Sequence, residues 1–321
     1  MVNTRSFAIA QAFFVTILWS SSWPIIKFGL EDEGLPPLTF AGLRYVAASI
    51  ILIAVVLSSQ KHRTTVRKMS IRWWLKLVIY GLIFYTITQG AQYFGLLRLD
   101  AITVSLLLSF TPMLVLILAI FLLNEIPNIV QAILVILAIG GAIMYFYPIV
   151  NLSLSTYIII GLIIVGVGVL ANAFSSIIGR AINKSKELNP LVITATSMFV
   201  GSVILLIIGL STEDFPTMSG RAIFYILWLS LVNTAFAFTL WNHAMQRLRA
   251  VEISMINNTM TFQITILAVI FLSERPSAIQ WVGLMITAIA AILLPLFKTK
   301  KGQKLVLAST DSELTNEKKE E

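Results

Sequence analysis

The stretch RLDAITVSLL (residues 98–107) returns in a related form as RLRAVEISMI at residues 247–256. Arg, Leu, Ala and Ser occupy the same places in both stretches, and apolar residues mostly replace apolar ones. An offset of 149 residues also aligns LNEIPNIVQ (123–131) with LSERPSAIQ (272–280), which share Leu, Glu, Pro and Gln. This constant offset indicates an internal duplication.

The composition indicates a membrane protein. Of the 321 residues, 58% are hydrophobic and 12% are charged, whereas soluble domains carry about 25% charged residues. Apolar runs of about 20 residues, long enough for a helix to cross the hydrocarbon core, recur along the chain. They are too long and too continuously apolar for barrel strands, so only helices satisfy their backbone hydrogen bonds in lipid. We therefore predict an all-α polytopic membrane protein whose surroundings are the lipid bilayer.

Short charged or Pro/Gly-containing breaks divide the apolar sequence into ten predicted transmembrane spans. In chain order these spans are Phe7–Gly29, Pro36–Leu57, Trp73–Leu97, Ala101–Leu123, Asn128–Tyr147, Leu154–Ala181, Pro190–Leu210, Ala222–Gln246, Val251–Leu272 and Ser277–Phe297. The offset covers five spans, an odd number, so the second copy enters the membrane from the opposite face. Inverted repeats of this kind are typical of transporters with a site at the repeat interface. The predicted repeats are residues 1–150 and 151–298, followed by a disordered cytoplasmic tail at 299–321.

The distribution of Lys and Arg predicts the orientation, because short loops rich in these residues stay in the cytoplasm. Arg5 precedes the first span. The predicted inner loops and the tail hold most of the other basic residues: Lys61, Arg63, Arg67, Lys68, Arg72, Arg180, Lys184, Lys186, Arg247, Arg249, Lys298, Lys300, Lys301 and Lys304. Two outer loops, LEDEGLP and STEDFP, are acidic instead. Both termini are therefore predicted to be cytoplasmic, in a bacterial cytoplasmic membrane.

The sequence contains no convincing motif for catalysis, nucleotides or metals. GVGVLA (166–171) fits a dinucleotide pattern, but it lies inside a predicted membrane helix, where small residues favour close packing instead. Cys is absent, and two His residues are too few for most metal sites. No cofactor, metal or nucleic acid is predicted, and the chain is not expected to be an enzyme. The oligomeric state stays open, with a monomer compatible with the sequence.

Polar residues inside the spans are the candidate substrate contacts, because a polar group in hydrocarbon usually faces a cavity or a protein partner. In span 3, Tyr85, Gln89, Gln92 and Tyr93 share one helix face, which predicts either a cavity wall or structural hydrogen bonds between helices. Spans 4 and 9 carry matching small and polar residues, which favour packing between the repeats. The full set of predicted neutral contacts is Trp19, Tyr85, Gln89, Gln92, Tyr93, Asn172, Trp241 and Asn242.

Two cations and one histidine are further candidates. Lys27 either extends to the interface or attracts an anionic group on the substrate. Arg44 lies deeper in its span and requires a partner or water, so it either serves an outward vestibule or pairs with an acidic neighbour such as Asp100. His243 is a possible proton-coupling residue, although a lone His at this depth is more often a simple hydrogen-bonding residue.

The stretch WSSSWPIIKFGLEDEGLPPLTFAGLRYVAASIILI (19–53) resembles the opening of EamA-type members of the drug/metabolite transporter superfamily. SFTPMLVLILAIFLLNEIP (109–127) resembles the end of their fourth helix, except that Asn124 replaces the usual Gly. Ser273 replaces the Gly at the corresponding position of the second copy. In span 9, Thr261 stands where the family usually has Pro. The resemblance covers nearly all of residues 7–297. It implies ten helices in two inverted five-helix repeats, a central cavity formed by helices 1, 3, 4, 6, 8 and 9, and transport of small metabolites by alternating access.

The predicted function is secondary transport of a small organic metabolite, such as an amino acid or a related compound. Export is favoured by analogy with the family alone. The alternatives are a membrane scaffold or channel that does not transport by alternating access and, less favoured, an intramembrane enzyme. An enzyme would require a nucleophile with a base, or a metal cluster, within the spans, and the sequence shows neither.

Overall fold

The computed structural model describes residues 4–123, 128–147 and 155–293. The predicted tail at 299–321, and the repeat residues Glu125 and Pro127, lie outside the described residues. Within those ranges the regular secondary structure is entirely helical, with fifteen α-helices and two π-helical segments.

The helices follow one another with short connections. The α-helices are α1 (Thr4–Glu31), α2 (Pro37–Ser58), α3 (Gln60–Arg67), α4 (Ile71–Gly81), α5 (Gln89–Arg98), α6 (Ala101–Leu108), α7 (Thr111–Leu123), α8 (Ile129–Phe146), α9 (Thr156–Lys184), α10 (Pro190–Thr212), α11 (Gly220–Ser230), α12 (Ala237–Met245), α13 (Ala250–Asn258), α14 (Met260–Phe271) and α15 (Ala278–Leu293). The π-helical segments are π1 (Leu82–Thr88), between α4 and α5, and π2 (Leu231–Phe236), between α11 and α12.

Eight helical stretches in the described residues are long and apolar enough to cross a membrane. They are Arg5–Glu31, Pro37–Ser58, Ile71–Arg98, Ala101–Leu123, Thr156–Lys184, Pro190–Thr212, Gly220–Met245 and Ala250–Phe271. Two shorter apolar helices, Ile129–Tyr145 and Ala278–Ala290, lie at the fifth and tenth predicted spans. The chain is thus an all-helical polytopic membrane protein, whereas the count of ten crossings stays a prediction.

The 149-residue offset of the sequence reappears in the positions at which helices begin. Five pairs of segments begin 149 residues apart: α4 and α11, π1 and π2, α6 and α13, α7 and α14, and α8 and α15. A π-helical segment inserts one extra residue into a helical turn and is uncommon, often occurring at functional sites. Its occurrence at matching positions shows that the two parts of the sequence share local backbone structure as well as residues.

The fourth predicted span and the ninth are both interrupted near their middles. Ser109 follows α6, and its hydroxyl donates a hydrogen bond back to the Leu106 carbonyl oxygen over 2.6 Å. Thr259 follows α13 and does the same to the Ile256 carbonyl oxygen over 2.7 Å. Such back-bonding bends helices. The second interruption therefore needs no proline, although Thr261 stands where the sequence resemblance leads one to expect Pro.

Small residues allow the closest contacts between helices. A Cβ atom at Gly141 in α8 would lie 2.4 Å from the Gly283 carbonyl oxygen in α15. A Cβ atom at Gly42 in α2 would lie 2.6 Å from the Leu206 Cα atom in α10. Helices in lipid associate through close backbone approach at small residues. The lipid tails are as apolar as the helix surfaces, so the hydrophobic effect does not drive this association. Helix α1 contacts α12, α13 and α14 beside the cavity described next.

Candidate functional site

A cavity lies among helices from both parts of the chain. It is bounded by α1, α2, α4 with π1, α5, α6, α9, α12, α13 and α14. Its lining residues are Trp19, Ser22, Trp23, Ile26, Arg44, Tyr45, Tyr80, Phe84, Gln89, Gln92, Ser105, Leu108, Asn172, Ser175, Ser176, Phe238, Trp241, Met245, Ser254, Asn257, Asn258, Met260, Thr261 and Ile264. The mixture of aromatic rings with amides and hydroxyls is typical of small-molecule sites.

One wall of the cavity is aromatic. The Trp19 ring on α1 lies 4.7 Å, centroid to centroid, from both Phe238 and Trp241 on α12. Phe84 and Tyr45 extend this wall, with centroids 5.4 Å and 5.9 Å from that of Phe238. The rings are tilted or edge-on to one another, as the quadrupole of an aromatic ring favours. They offer a rigid apolar surface to a ligand.

Arg44 is the one charged side chain in the described lining. Arg44 is buried, with 2% of its surface exposed. Nε donates to the Thr234 hydroxyl over 2.7 Å, Nη1 to the Tyr93 hydroxyl over 2.9 Å and Nη2 to the Asn233 carbonyl oxygen over 3.3 Å. The guanidinium also lies 5.0 Å from the Tyr45 ring centroid, within range of a cation–π contact.

The partners of Arg44 in the described residues are all neutral. The ion pairs among those residues involve other cations, so the alternative of a structural pair with Asp100 is not what the structure shows. The charge is held by hydroxyls, a carbonyl oxygen and a ring, none of which neutralises it. An uncompensated positive charge therefore faces the cavity.

Two further hydrogen-bond donors in the lining have no acceptor among the described residues. They are Trp19 Nε1 on α1 and Asn258 Nδ2 on α13. Their residues are 8% and 5% exposed. Most buried polar groups in proteins are hydrogen-bonded, so these two residues of the lining each carry a buried donor that lacks an acceptor.

Six of the ten predicted contact residues line the cavity: Trp19, Arg44, Gln89, Gln92, Asn172 and Trp241. Their roles toward a substrate stay predictions. Gln89 also accepts a hydrogen bond of 2.6 Å from the Tyr45 hydroxyl. Gln92 lies on the same helix, one turn further along.

The other four predicted residues do not belong to the lining. Lys27 Nζ lies 2.7 Å from Glu31 Oε1, one turn along α1. Tyr93 is occupied by its bond with Arg44. Tyr85 is buried against other rings, with its centroid 5.3 Å from that of Phe238.

Asn242 and His243 are held by neighbouring helices. Asn242 Nδ2 donates to the Thr194 hydroxyl over 2.9 Å, and its Oδ1 accepts from Asn183 Nδ2 over 2.8 Å. His243 Nδ1 lies 2.9 Å from Gln11 Oε1, and this residue is also absent from the lining. Asn242 and His243 thus form hydrogen bonds between helices, which is the structural alternative to a substrate contact for a polar residue inside a membrane span.

The sequence does not predict several of the lining residues. Ser22 follows Trp19 by three residues on α1 and so shares its helix face. Tyr45 directly follows Arg44, and Asn257 directly precedes Asn258. Spacing from an already suspected residue is the signal that would have identified Ser22. Tyr45 and Asn257 have no comparable signal, since neighbours in sequence point to different sides of a helix.

Comparisons with known proteins agree with the architecture. A solved structure, 15% identical in sequence, superposes with a TM-score of 0.72 and covers 91% of this chain and 98% of its own. YoaV of Bacillus subtilis, named as an uncharacterized transporter, is 23% identical over 243 residues, covering 75% of this chain and 80% of its own. YvbV of the same species, also named as an uncharacterized transporter, is 27% identical over 229 residues, covering 70% of each chain. A WAT1-related chloroplastic protein of Arabidopsis thaliana is 23% identical over 286 residues, 86% of this chain and 66% of its own.

The sequence pattern of one family matches twice along the chain, at residues 6–147 and 159–296. That family is described as the EamA-like transporter family. The two matched stretches together cover most of the chain and contain every residue that lines the cavity. The resemblance seen in the sequence is confirmed, and the chain belongs to the EamA-like transporter family.

Proposed function

We propose that the protein is a secondary transporter that moves a small organic metabolite by alternating access through the cavity described above. The observation that carries this proposal is the symmetry of the lining. Ser105 in the middle of α6 and Ser254 in the middle of α13 are 149 residues apart, and both line the same cavity. A site built from matching elements of two repeats is typical of alternating-access transporters.

The proposal includes the architecture that this mechanism needs. Ten membrane-spanning helices form two inverted repeats, residues 1–150 and 151–298, with both termini in the cytoplasm of a bacterial cell. Matching π-helical segments and matching interruptions lie in the two parts of the chain. They support the proposal because each repeat can then adopt the conformation of the other at modest cost. Net export is the direction that we propose, by analogy with the family.

An ion pair links α1 to α13 at the ends predicted to be cytoplasmic. Arg5 Nη2 lies 2.7 Å from Glu252 Oε1, and Glu252 is 3% exposed. Glu252 also accepts a hydrogen bond of 3.0 Å from the Arg249 backbone N–H. Removing the Arg5 charge weakens the contact between the two helices while leaving this backbone bond in place.

The test uses cysteines introduced into a chain that has none. Ser105→Cys and Ser254→Cys are each labelled by a membrane-impermeant maleimide in right-side-out and in inside-out vesicles. We expect Ser105→Cys to react mainly from the outside and Ser254→Cys mainly from the inside. Arg5→Gln should then slow the first reaction and speed the second, because it favours the state that is open to the cytoplasm.

The rival functions give different results. A channel would expose both cysteines from both sides, with or without Arg5→Gln. A scaffold would show labelling that Arg5→Gln leaves unchanged. Either outcome would end the alternating-access proposal.

A further inference from the structure

We propose that the cavity selects organic monoanions, binding a ligand carboxylate at Arg44 and an apolar, preferably planar, body on the aromatic wall. This inference rests on the proposed function and names the class of substrate. It states more than the presence of a polar cavity, because it predicts that an acid binds better than the matching amide, amine or amino acid.

The first argument is the charge of Arg44. A guanidinium has five N–H groups, and three of them are bonded to Thr234, Tyr93 and Asn233. Two N–H groups remain without an acceptor in the described part of the chain. A buried charge within a membrane is costly unless it is paired. A planar guanidinium with free N–H groups is suited to a carboxylate, whose two oxygens accept from it in parallel.

The second argument is independent of that charge. Trp19 and Asn258 line the same cavity, and their side-chain donors Nε1 and Nδ2 are buried without an acceptor in the ranges described. Leaving such donors unpaired is unfavourable. A ligand that is rich in acceptor oxygens and poor in donors relieves this cost. An ionised carboxylate is such a group, because it has two acceptor oxygens and no donor.

The third argument concerns what the lining lacks. No Asp or Glu is among the described residues that line the cavity. An ammonium group would therefore find no ion pair there, and it would lie in the same cavity as the Arg44 charge. The cavity thus disfavours amines, and it disfavours amino acids relative to the acids that lack the amino group.

The body of the ligand is specified by the aromatic wall. Trp19, Phe238 and Trp241 present apolar ring surface on α1 and α12. A further ring in tilted or edge-on contact with these rings gains attraction beyond the burial of apolar area. An aryl or alkenyl acid is therefore favoured over a short, fully polar acid.

The experiment compares four ligands that share one body. They are 3-phenylpropanoate, 3-phenylpropanamide, 3-phenylpropylamine and phenylalanine, titrated calorimetrically against the purified full-length protein in detergent. We expect 3-phenylpropanoate to bind at least about tenfold more tightly than the other three. Tighter binding of the amine or of phenylalanine, or no binding of the acid at about 10 mM, would overturn the inference.

Three variants test the residues. Arg44→Gln should weaken binding of 3-phenylpropanoate by at least about tenfold, whereas Arg221→Gln should leave it unchanged, because Arg221 is an exposed cation outside the cavity. Trp19→Phe keeps an aromatic ring but removes the Nε1 donor, and it should weaken binding several-fold. Unchanged affinity in folded Arg44→Gln and in Trp19→Phe would contradict the assignment.

Asn258→Asp keeps the inference testable if Arg44→Gln does not fold. The substitution replaces an unpaired donor with an anion. It should weaken binding of 3-phenylpropanoate and strengthen binding of 3-phenylpropylamine, a reversal of preference that a merely structural role does not produce. The same change in affinity for both ligands would count against the anion site.

The anion site and the transport function fail in different ways. Counterflow of radiolabelled 3-phenylpropanoate in proteoliposomes measures transport directly. Selective binding of the acid without saturable counterflow would support the anion site and contradict the transporter. Saturable flux of the amine without flux of the acid would support transport and contradict the anion site.

Discussion

The Thr287 hydroxyl donates a hydrogen bond of 2.9 Å to the Ala138 carbonyl oxygen, and these two residues are 149 positions apart. The bond joins α15 to α8 at positions that correspond in the two repeats of the sequence. Beside it, the backbones approach so closely that a Cβ atom at Gly283 would lie 2.4 Å from the Gly141 carbonyl oxygen. Corresponding elements of the two repeats therefore pack directly on each other.

We predict that Gly141→Ala destabilises the protein by about 1–3 kcal/mol. The new methyl group would meet the Gly283 carbonyl oxygen at 2.4 Å and the Thr287 hydroxyl at 2.6 Å, so the two helices must separate. The adjacent Gly140 is a matched control, because its Cβ position has no neighbour within 4 Å. Gly140→Ala should be neutral or slightly stabilising, since Ala favours helix more than Gly does. Thermal unfolding in detergent distinguishes the two, and equal midpoints would contradict the packing described.

A second prediction contrasts two glutamines on α5. Gln92 lines the cavity and forms no side-chain hydrogen bond with the described residues, so Gln92→Leu should impair counterflow of 3-phenylpropanoate with little loss of stability. Gln89 accepts from the Tyr45 hydroxyl over 2.6 Å. Gln89→Leu should instead cost about 1–3 kcal/mol, because that buried hydroxyl loses its partner. Paired measurements of counterflow and thermal stability test this, and unaltered counterflow in Gln92→Leu would assign that residue no part in the site.

The third prediction concerns topology. Because Lys and Arg concentrate in alternate loops, tags at either terminus should resist protease added to intact cells and be cleaved after permeabilisation. A tag in the acidic STEDFP loop, which holds Glu213 and Asp214, should be cleaved in intact cells. Cleavage of either terminal tag from outside would reverse the proposed orientation and the direction of every labelling experiment above.

Much of the fold follows from the sequence because hydrophobic length and repetition are properties of the chain itself. The 149-residue offset is visible in the residues, and the starts of α6 and α13 repeat it. The site is only partly predictable. The sequence identifies Arg44 as a buried cation. Its bonds to Thr234 and Tyr93 could not be predicted, because they depend on which helices are neighbours in the folded protein. Asn242 is a polar residue inside a predicted span, as a cavity residue would be, yet its amide donates a hydrogen bond to the Thr194 hydroxyl on a neighbouring helix.

The π-helical segments illustrate the same limit. Strict helical spacing from Gln89 backward predicts that Tyr85 lies on the same face of the helix. The segment π1 ends at Thr88, between them, and alters the helical phase. Tyr85 is accordingly buried among rings while Gln89 reaches the cavity. Nothing in the local residue types distinguishes a π turn from an α turn, so this displacement could not be predicted from the sequence.

The fourth prediction concerns Glu274, between α14 and α15. Its carboxylate accepts from the Ala101 and Ile102 backbone N–H groups over 3.2 Å and 3.4 Å, at the first turn of α6. Burial raises the pKa of Glu274 above its ordinary value of 4.5, and the nearby Asp100 acts in the same direction. The two backbone bonds and Lys27 oppose this rise without cancelling it.

A raised pKa means that the folded protein holds the Glu274 proton more tightly than the unfolded chain does. This contribution to stability is therefore fully present below pH 4.5 and is lost as pH rises through the folded-state pKa of Glu274. Glu274→Gln keeps an acceptor oxygen for the α6 backbone but does not titrate, so thermal unfolding between pH 4 and 8 should show a shallower fall with pH than in the parent protein. Glu274→Ala does not titrate either and also removes both acceptors, so it should be less stable than Glu274→Gln by about 1 kcal/mol at every pH in the range. If Glu274→Gln unfolds with the same pH dependence as the parent, the half-buried carboxyl of Glu274 does not have the raised pKa that its surroundings predict.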